Sequence, residues 1–170
     1  MKTILLAAAL LVAPHAAAPA APADYAGKWA LDQARSTNLP PYYARIKSHR
    51  LDITETPEHL DVKVEVDLGQ GEPDRMDLDY RLDGAETSTT MPMRMQGNLV
   101  QVPTKVKAAV ADNGDVHITI TRELPLPSGA VTAVTTEDWH LSPDHATLTV
   151  HRVDDTPRGR MESDMVFAKS

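Results

Sequence analysis

The chain has no cysteine, which excludes a disulfide framework, thiol catalysis and a lipid anchor on a terminal cysteine. Aromatics are few, with two Trp, four Tyr and one Phe, so a flat aromatic ligand would find little to stack on. Positive charge is short as well. Against 24 Asp and Glu stand 17 Lys and Arg, the formal net charge is -7, and no run of five basic residues occurs. Such a chain is a poor match for phosphate backbones, so nucleic acid is not expected as a partner. Beyond the first residues no apolar stretch is long enough to cross a bilayer. There is no G-x-S-x-G, no H-E-x-x-H, no phosphate-binding glycine loop and no dinucleotide fingerprint, and Gly69-Gln70-Gly71 has the composition of a turn. No cofactor and no catalytic residues are therefore expected.

What is present begins with an address. Met1-Lys2 leads into the apolar run Ile4 to Ala13, and small residues follow to Ala21-Pro22-Ala23. A charged start, an apolar run too short to span and an A-x-A-like end mark residues 1–23 as an export signal, with cleavage expected after Ala23 in preference to Ala18. The remainder, residues 24–170, fits a single domain in the periplasm or outside the cell. It loses Lys2 and becomes more acidic by one charge.

Alternation dominates that remainder. Leu60, Val62, Val64 and Val66 alternate with Asp61, Lys63 and Glu65, and Met76, Leu78, Tyr80 and Leu82 alternate with Asp77, Asp79 and Arg81. A period of two gives a strand one dry face and one wet face, and places these carboxylates in solvent. Leu51 and Ile53, Val106 to Val110, Val116 to Ile120, and Leu148 and Val150 repeat the pattern. Turn residues separate the segments, as at Thr56-Pro57-Glu58, Asp83-Gly84, Asp112-Asn113-Gly114, Ser142-Pro143-Asp144 and Pro157-Arg158-Gly159. Short links mean antiparallel neighbours. The spacing predicts an all-β antiparallel up-and-down meander barrel of about eight to ten strands, because closure removes exposed edges. A two-sheet sandwich is the alternative.

One connection breaks the rhythm. Residues 33–48 carry no strand pattern and contain Pro40-Pro41-Tyr42-Tyr43, a proline pair able to start one helical turn. A long loop after the first strand is either a lid or binding loop, or a plug in which Leu39, Tyr42 and Ile46 close one barrel end.

Gly27-Lys28-Trp29-Ala30-Leu31-Asp32 followed by Arg35-Ser36 resembles the G-x-W opening of lipocalin-like barrels. It is similar above all to small exported bacterial proteins that start G-x-W-x-L-N/D-x-x-K/R-S. Trp139-His140-Leu141-Ser142-Pro143-Asp144 and the closing Met165-Val166-Phe167 extend the likeness. It implies a short meander barrel and brings no activity with it. On physical grounds Trp29 offers an apolar plate to close one barrel end, and Gly27 allows close approach. The resemblance implies that an arginine from a late strand covers the indole. Arg152, at spacing two from Leu148 and Val150, is the candidate, while Arg122 is expected to snorkel out of a strand end.

Two groups are weighed as metal sites. A hairpin over residues 143–146 would set Leu141 opposite Leu148, Trp139 opposite Val150 and Asp138 opposite His151. Asp138, His140 and His151 then share an outward face, with the two histidines about 7 to 8 Å apart on the diagonal. Met91, Met93 and Met95 would project from one face and suit cuprous copper, or else line an apolar pocket.

Three functions compete. The first is non-catalytic binding of a small apolar, preferably aliphatic, ligand in a barrel interior walled by Trp29, Tyr42, Tyr43, Tyr80, Met93, Trp139 and Arg152. The second is an envelope protein-binding or inhibitor module using the proline-stiffened loop Leu124-Pro125-Leu126-Pro127-Ser128. The third is copper or zinc binding at the groups just named.

Overall fold

The structure is a computed structural model that describes residues 23–170 apart from 96–97 and 127–128. All but the last residue of the expected leader lies outside the described residues. Ten antiparallel strands are described: β1 (Gly27–Leu31), β2 (Ser48–Glu55), β3 (His59–Asp67), β4 (Asp74–Arg81), β5 (Asp83–Met95), β6 (Asn98–Val110), β7 (Val116–Leu126), β8 (Gly129–Leu141), β9 (Thr147–Thr156) and β10 (Gly159–Lys169). Their hydrogen-bonded order, β4-β3-β2-β1-β10-β9-β8-β7-β6-β5, is an up-and-down meander in which the first and last strands pair. This is the expected barrel, nearly closed.

Closure stops between β4 and β5, the two edges of the sheet. Only Leu82 separates these strands, and its N–H donates to the Glu58 carbonyl at 2.8 Å, which ties the corner to the β2–β3 turn. A bulge between Asp83 and Glu86 then bends β5 toward β6. Both edges are blunted: β4 carries Arg75, Asp77, Asp79 and Arg81 on its outer face, and β5 has Pro92, which cannot donate to another strand. A second split opens higher up. The β6–β7 ladder runs only from Val110↔Val116 to Thr104↔Arg122. Beyond it lies Pro103, which has no N–H, and from there β6 pairs only with β5 while β7 pairs only with β8.

The dry faces meet as the alternation dictates. Ile53, Leu60, Ile118, Leu148 and Phe167 are almost fully buried, and each such side chain contributes about 1.5–3 kcal/mol by leaving water. The lower end is closed by Tyr25, Trp29 and Trp139. The Trp29 indole N–H donates to the Tyr25 carbonyl at 2.9 Å, and the Tyr25 hydroxyl donates to the Trp139 carbonyl at 2.8 Å. Gly27 holds a positive φ of 135°, and a Cβ there would lie 2.9 Å from Lys169 Cε, so glycine makes room for the lysine stem. At the upper end the long connection forms the expected single turn, a 3-10 helix over Pro41–Arg45. It is both plug and rim: Tyr43 and Ile46 are buried, whereas Tyr42 is 53% exposed.

Candidate functional site

The interior is hollow. A cavity of about 590 Å³ lies between the closed lower end and the 3-10 turn, and its wall has two unlike halves. β2, β3 and β4 contribute mainly apolar side chains, among them Leu51, Val62, Val64, Met76 and Leu78, together with His49, Asp74, Arg75 and Tyr80. β7, β8 and β9 contribute Arg122, Thr135, Glu137, Arg152 and Asp154. All five lie an even number of residues from Ile120, Trp139 or Val150 on their strands, so the strand geometry that turns those residues inward turns these inward too.

Most of this polar group is internally satisfied. Arg152 Nη1 donates to Glu137 Oε1 at 3.0 Å, and its Nε and Nη2 grip Asp154 at 2.8 and 2.9 Å. The other oxygen of Glu137 accepts the Trp139 indole N–H at 3.0 Å. Burial opposes the charge of Arg152, but the two carboxylates outweigh it and hold the guanidinium above its ordinary value. Burial alone would raise Asp154, and the hydrogen bond and charge of Arg152 bring it below the usual carboxylate range instead. Thr135 links the group to Arg122: its hydroxyl accepts from Arg122 Nη1 at 2.9 Å and donates to Asp154 at 2.7 Å.

Above this group His49 stands under the 3-10 turn. Its Nδ1 lies 3.3 Å from the Tyr43 hydroxyl, and its ring meets Phe167 edge-on with centroids 5.2 Å apart. Burial, and secondarily the positive charge of Arg152, lowers it to about 4, so His49 is neutral at pH 7.

Of the expected ligand-binding residues, Tyr42, Tyr43, Tyr80, Met93, Trp139 and Arg152 line the cavity. Trp29 does not, because it lies beneath the lower end with no exposed surface. The cation over Trp29 is Lys169, whose ammonium is 5.2 Å from the ring centre, and not Arg152. Register decides this: Lys169 is the β10 partner of Trp29, whereas Arg152 is held by Glu137 and Asp154. Arg122 does not snorkel out but faces the cavity.

The β8–β9 register matches expectation at Leu141↔Leu148, Trp139↔Val150 and Asp138↔His151, yet Asp138, His140 and His151 do not converge on one ion. Asp138 takes His117 at 2.6 Å, His140 takes Asp115 at 2.9 Å and His151 takes Asp164 at 2.7 Å. Among the described residues no three His, Asp or Glu are grouped as metal ligands. Met91 and Met93 belong to the cavity wall and Met95 lies outside it. Leu124 of the stiffened loop also faces the cavity, while Pro127 and Ser128 lie outside the described residues.

Sequence reasoning missed Arg122, Thr135, Glu137 and Asp154 as wall residues. Their signal was available, since Glu137 and Thr135 precede Trp139 at steps of two, and Asp154 follows Arg152 by two.

No protein-family model matches the chain, and no curated protein matches its sequence. Among solved structures, the zebrafish ileal bile acid-binding protein complexed with cholic acid aligns over 86% of this chain and 98% of its own, with 10% identity and a TM-score of 0.49. The barrel assignment rests on the strand order and register, independently of that alignment.

Proposed function

We propose that the protein is a non-catalytic binding protein, exported to the periplasm or the exterior, that carries a small and largely apolar molecule inside its barrel. The cavity of about 590 Å³ with one largely apolar wall supports this reading above all, because it falls within the size range of small-molecule sites and its apolar surface contributes binding energy when a guest displaces water. The 3-10 turn and the unpaired β4 and β5 edges flank routes by which such a guest enters without unfolding the barrel. The seven aromatics favour an aliphatic body over a stacked aromatic one.

Native mass spectrometry of the purified protein is expected to show a bound small molecule, or uptake of one when aliphatic candidates are added. Val64→Trp, which places a large ring on the apolar wall, is expected to abolish uptake while the fold persists by circular dichroism. Unchanged uptake in that variant would refute binding in the interior.

A further inference from the structure

Two polar groups in the cavity are left over once the internal network is drawn. Arg122 uses only Nη1, toward Thr135, among the described residues, and no carboxylate stands within ion-pair distance of it. Arg152 has taken both neighbouring acids. The second is the Tyr80 hydroxyl. Tyr80 is 1% exposed, it lines the cavity, and its hydroxyl has no hydrogen-bond partner among the described residues although no side-chain polar atom there is sealed off unsatisfied. Its oxygen therefore opens into the cavity.

We propose that Arg122 and Tyr80 form a head-group subsite, and that the guest is an aliphatic molecule ending in a carboxylate. This rests on the binding function proposed above and adds the chemical class of the ligand.

Three observations support it. First, a half-buried guanidinium with idle donors is matched by an acceptor of negative charge, and a carboxylate can take two of its N–H groups at once. Second, the charge of Arg122 is only partly compensated. Burial and the nearby positive charge of Arg152 pull it below its ordinary value, and Glu137, Tyr80 and Asp154 together do not make up the difference. Tyr80 and Arg122 line the same cavity, and in the proposed subsite the two oxygens of one carboxylate serve both. Third, the competing carboxylate is occupied, since Glu137 spends one oxygen on Arg152 and the other on Trp139. Arg122 is also the last β7 residue paired to β6. It thus stands at the split between those strands and shares the cavity with the apolar side chains Leu51, Val62, Val64, Met76 and Leu78, along which an aliphatic tail would lie.

The test is competition against a neutral naphthylamine fluorophore by dodecanoate, dodecanol and methyl dodecanoate. The protein is expected to prefer dodecanoate over both neutral analogues by roughly tenfold to a hundredfold, the range of a charge-assisted pair in a desolvated site. Arg122→Gln is expected to level the three. Tyr80→Phe, which removes one oxygen and no packing, should weaken dodecanoate several-fold and leave dodecanol unchanged. Equal binding of acid and alcohol by the unaltered protein would overturn the head-group assignment and leave the apolar binding function standing. An acid preference that survives in both variants would overturn the assignment to these residues. Failure of the fluorophore and of all three competitors to bind would remove the binding function itself, and the subsite with it.

Discussion

Lys169 lays its ammonium over the Trp29 ring across the seam between the last strand and the first, 5.2 Å from the ring centre. The two residues are direct partners in the β1–β10 register, and the missing side chain of Gly27 gives the lysine stem its path. Lys169→Met keeps the stem and removes the charge, and is expected to lose about 0.5–1 kcal/mol in urea unfolding. Trp29→Ala leaves a void under the lower end and is expected to lose about 3–5 kcal/mol. If Lys169→Met is as stable as its parent, the charge over the ring adds nothing.

Arg152 holds two acids inside the barrel wall. Arg152→Met strands Glu137 and Asp154 and is expected to cost about 3 kcal/mol or more in thermal or urea unfolding. Adding Glu137→Gln and Asp154→Asn to the same chain should recover a large part of that loss, because the cost lies in unpaired charge rather than in lost packing. No recovery in the triple variant would contradict this.

Stability should decline as the solution turns mildly acidic. His49 has a folded value of about 4 against an ordinary value near 6.5. Between these pH values the unfolded chain binds a proton that the folded chain refuses. Full stability is therefore present above about pH 6.5 and is lost progressively down to about pH 4, by on the order of 3 kcal/mol. Below that, protonation of Asp154 and Asp164, both held below the ordinary carboxylate range, takes a further share. His59 is raised by Asp79 and works in the opposite sense, but on an open, solvent-screened face. In His49→Gln the slope between about pH 6.5 and 4 is expected to flatten, as read by urea midpoints across that range.

Amino-terminal sequencing of protein recovered from the culture medium or the periplasm should start at Asp24. Recovery of a cytoplasmic product that still begins at Met1 would remove the export reading.

Residues of period two made the barrel legible. Leu60 to Val66 and Val116 to Ile120 announce strands buried on one face, and Ser142-Pro143-Asp144 fixes a hairpin closely enough to place Asp138 opposite His151. The gap between β4 and β5 was not legible, because it depends on Leu82 bonding to Glu58 and on a bulge after Asp83, neither of which leaves a mark in the hydropathy pattern. The polar half of the cavity was obscured for another reason. Charged residues such as Glu137 and Asp154 ordinarily belong to the wet face, and only their phase relative to Trp139 and Val150 reveals that they turn inward. For Asp138, His140 and His151 a shared outward face is visible in sequence, but the pairing of each with a different partner, His117, Asp115 or Asp164, depends on strands that the local pattern does not bring together.

The pairing of β1 with β10 has a consequence for how the protein folds. β1 gains a hydrogen-bonded neighbour on one side from β2, across one connection, but its other side stays open until Lys169, nearly the whole chain away, comes to Trp29. Contacts so distant along the polymer form slowly. The hollow centre is complete only when the final strand docks on the first.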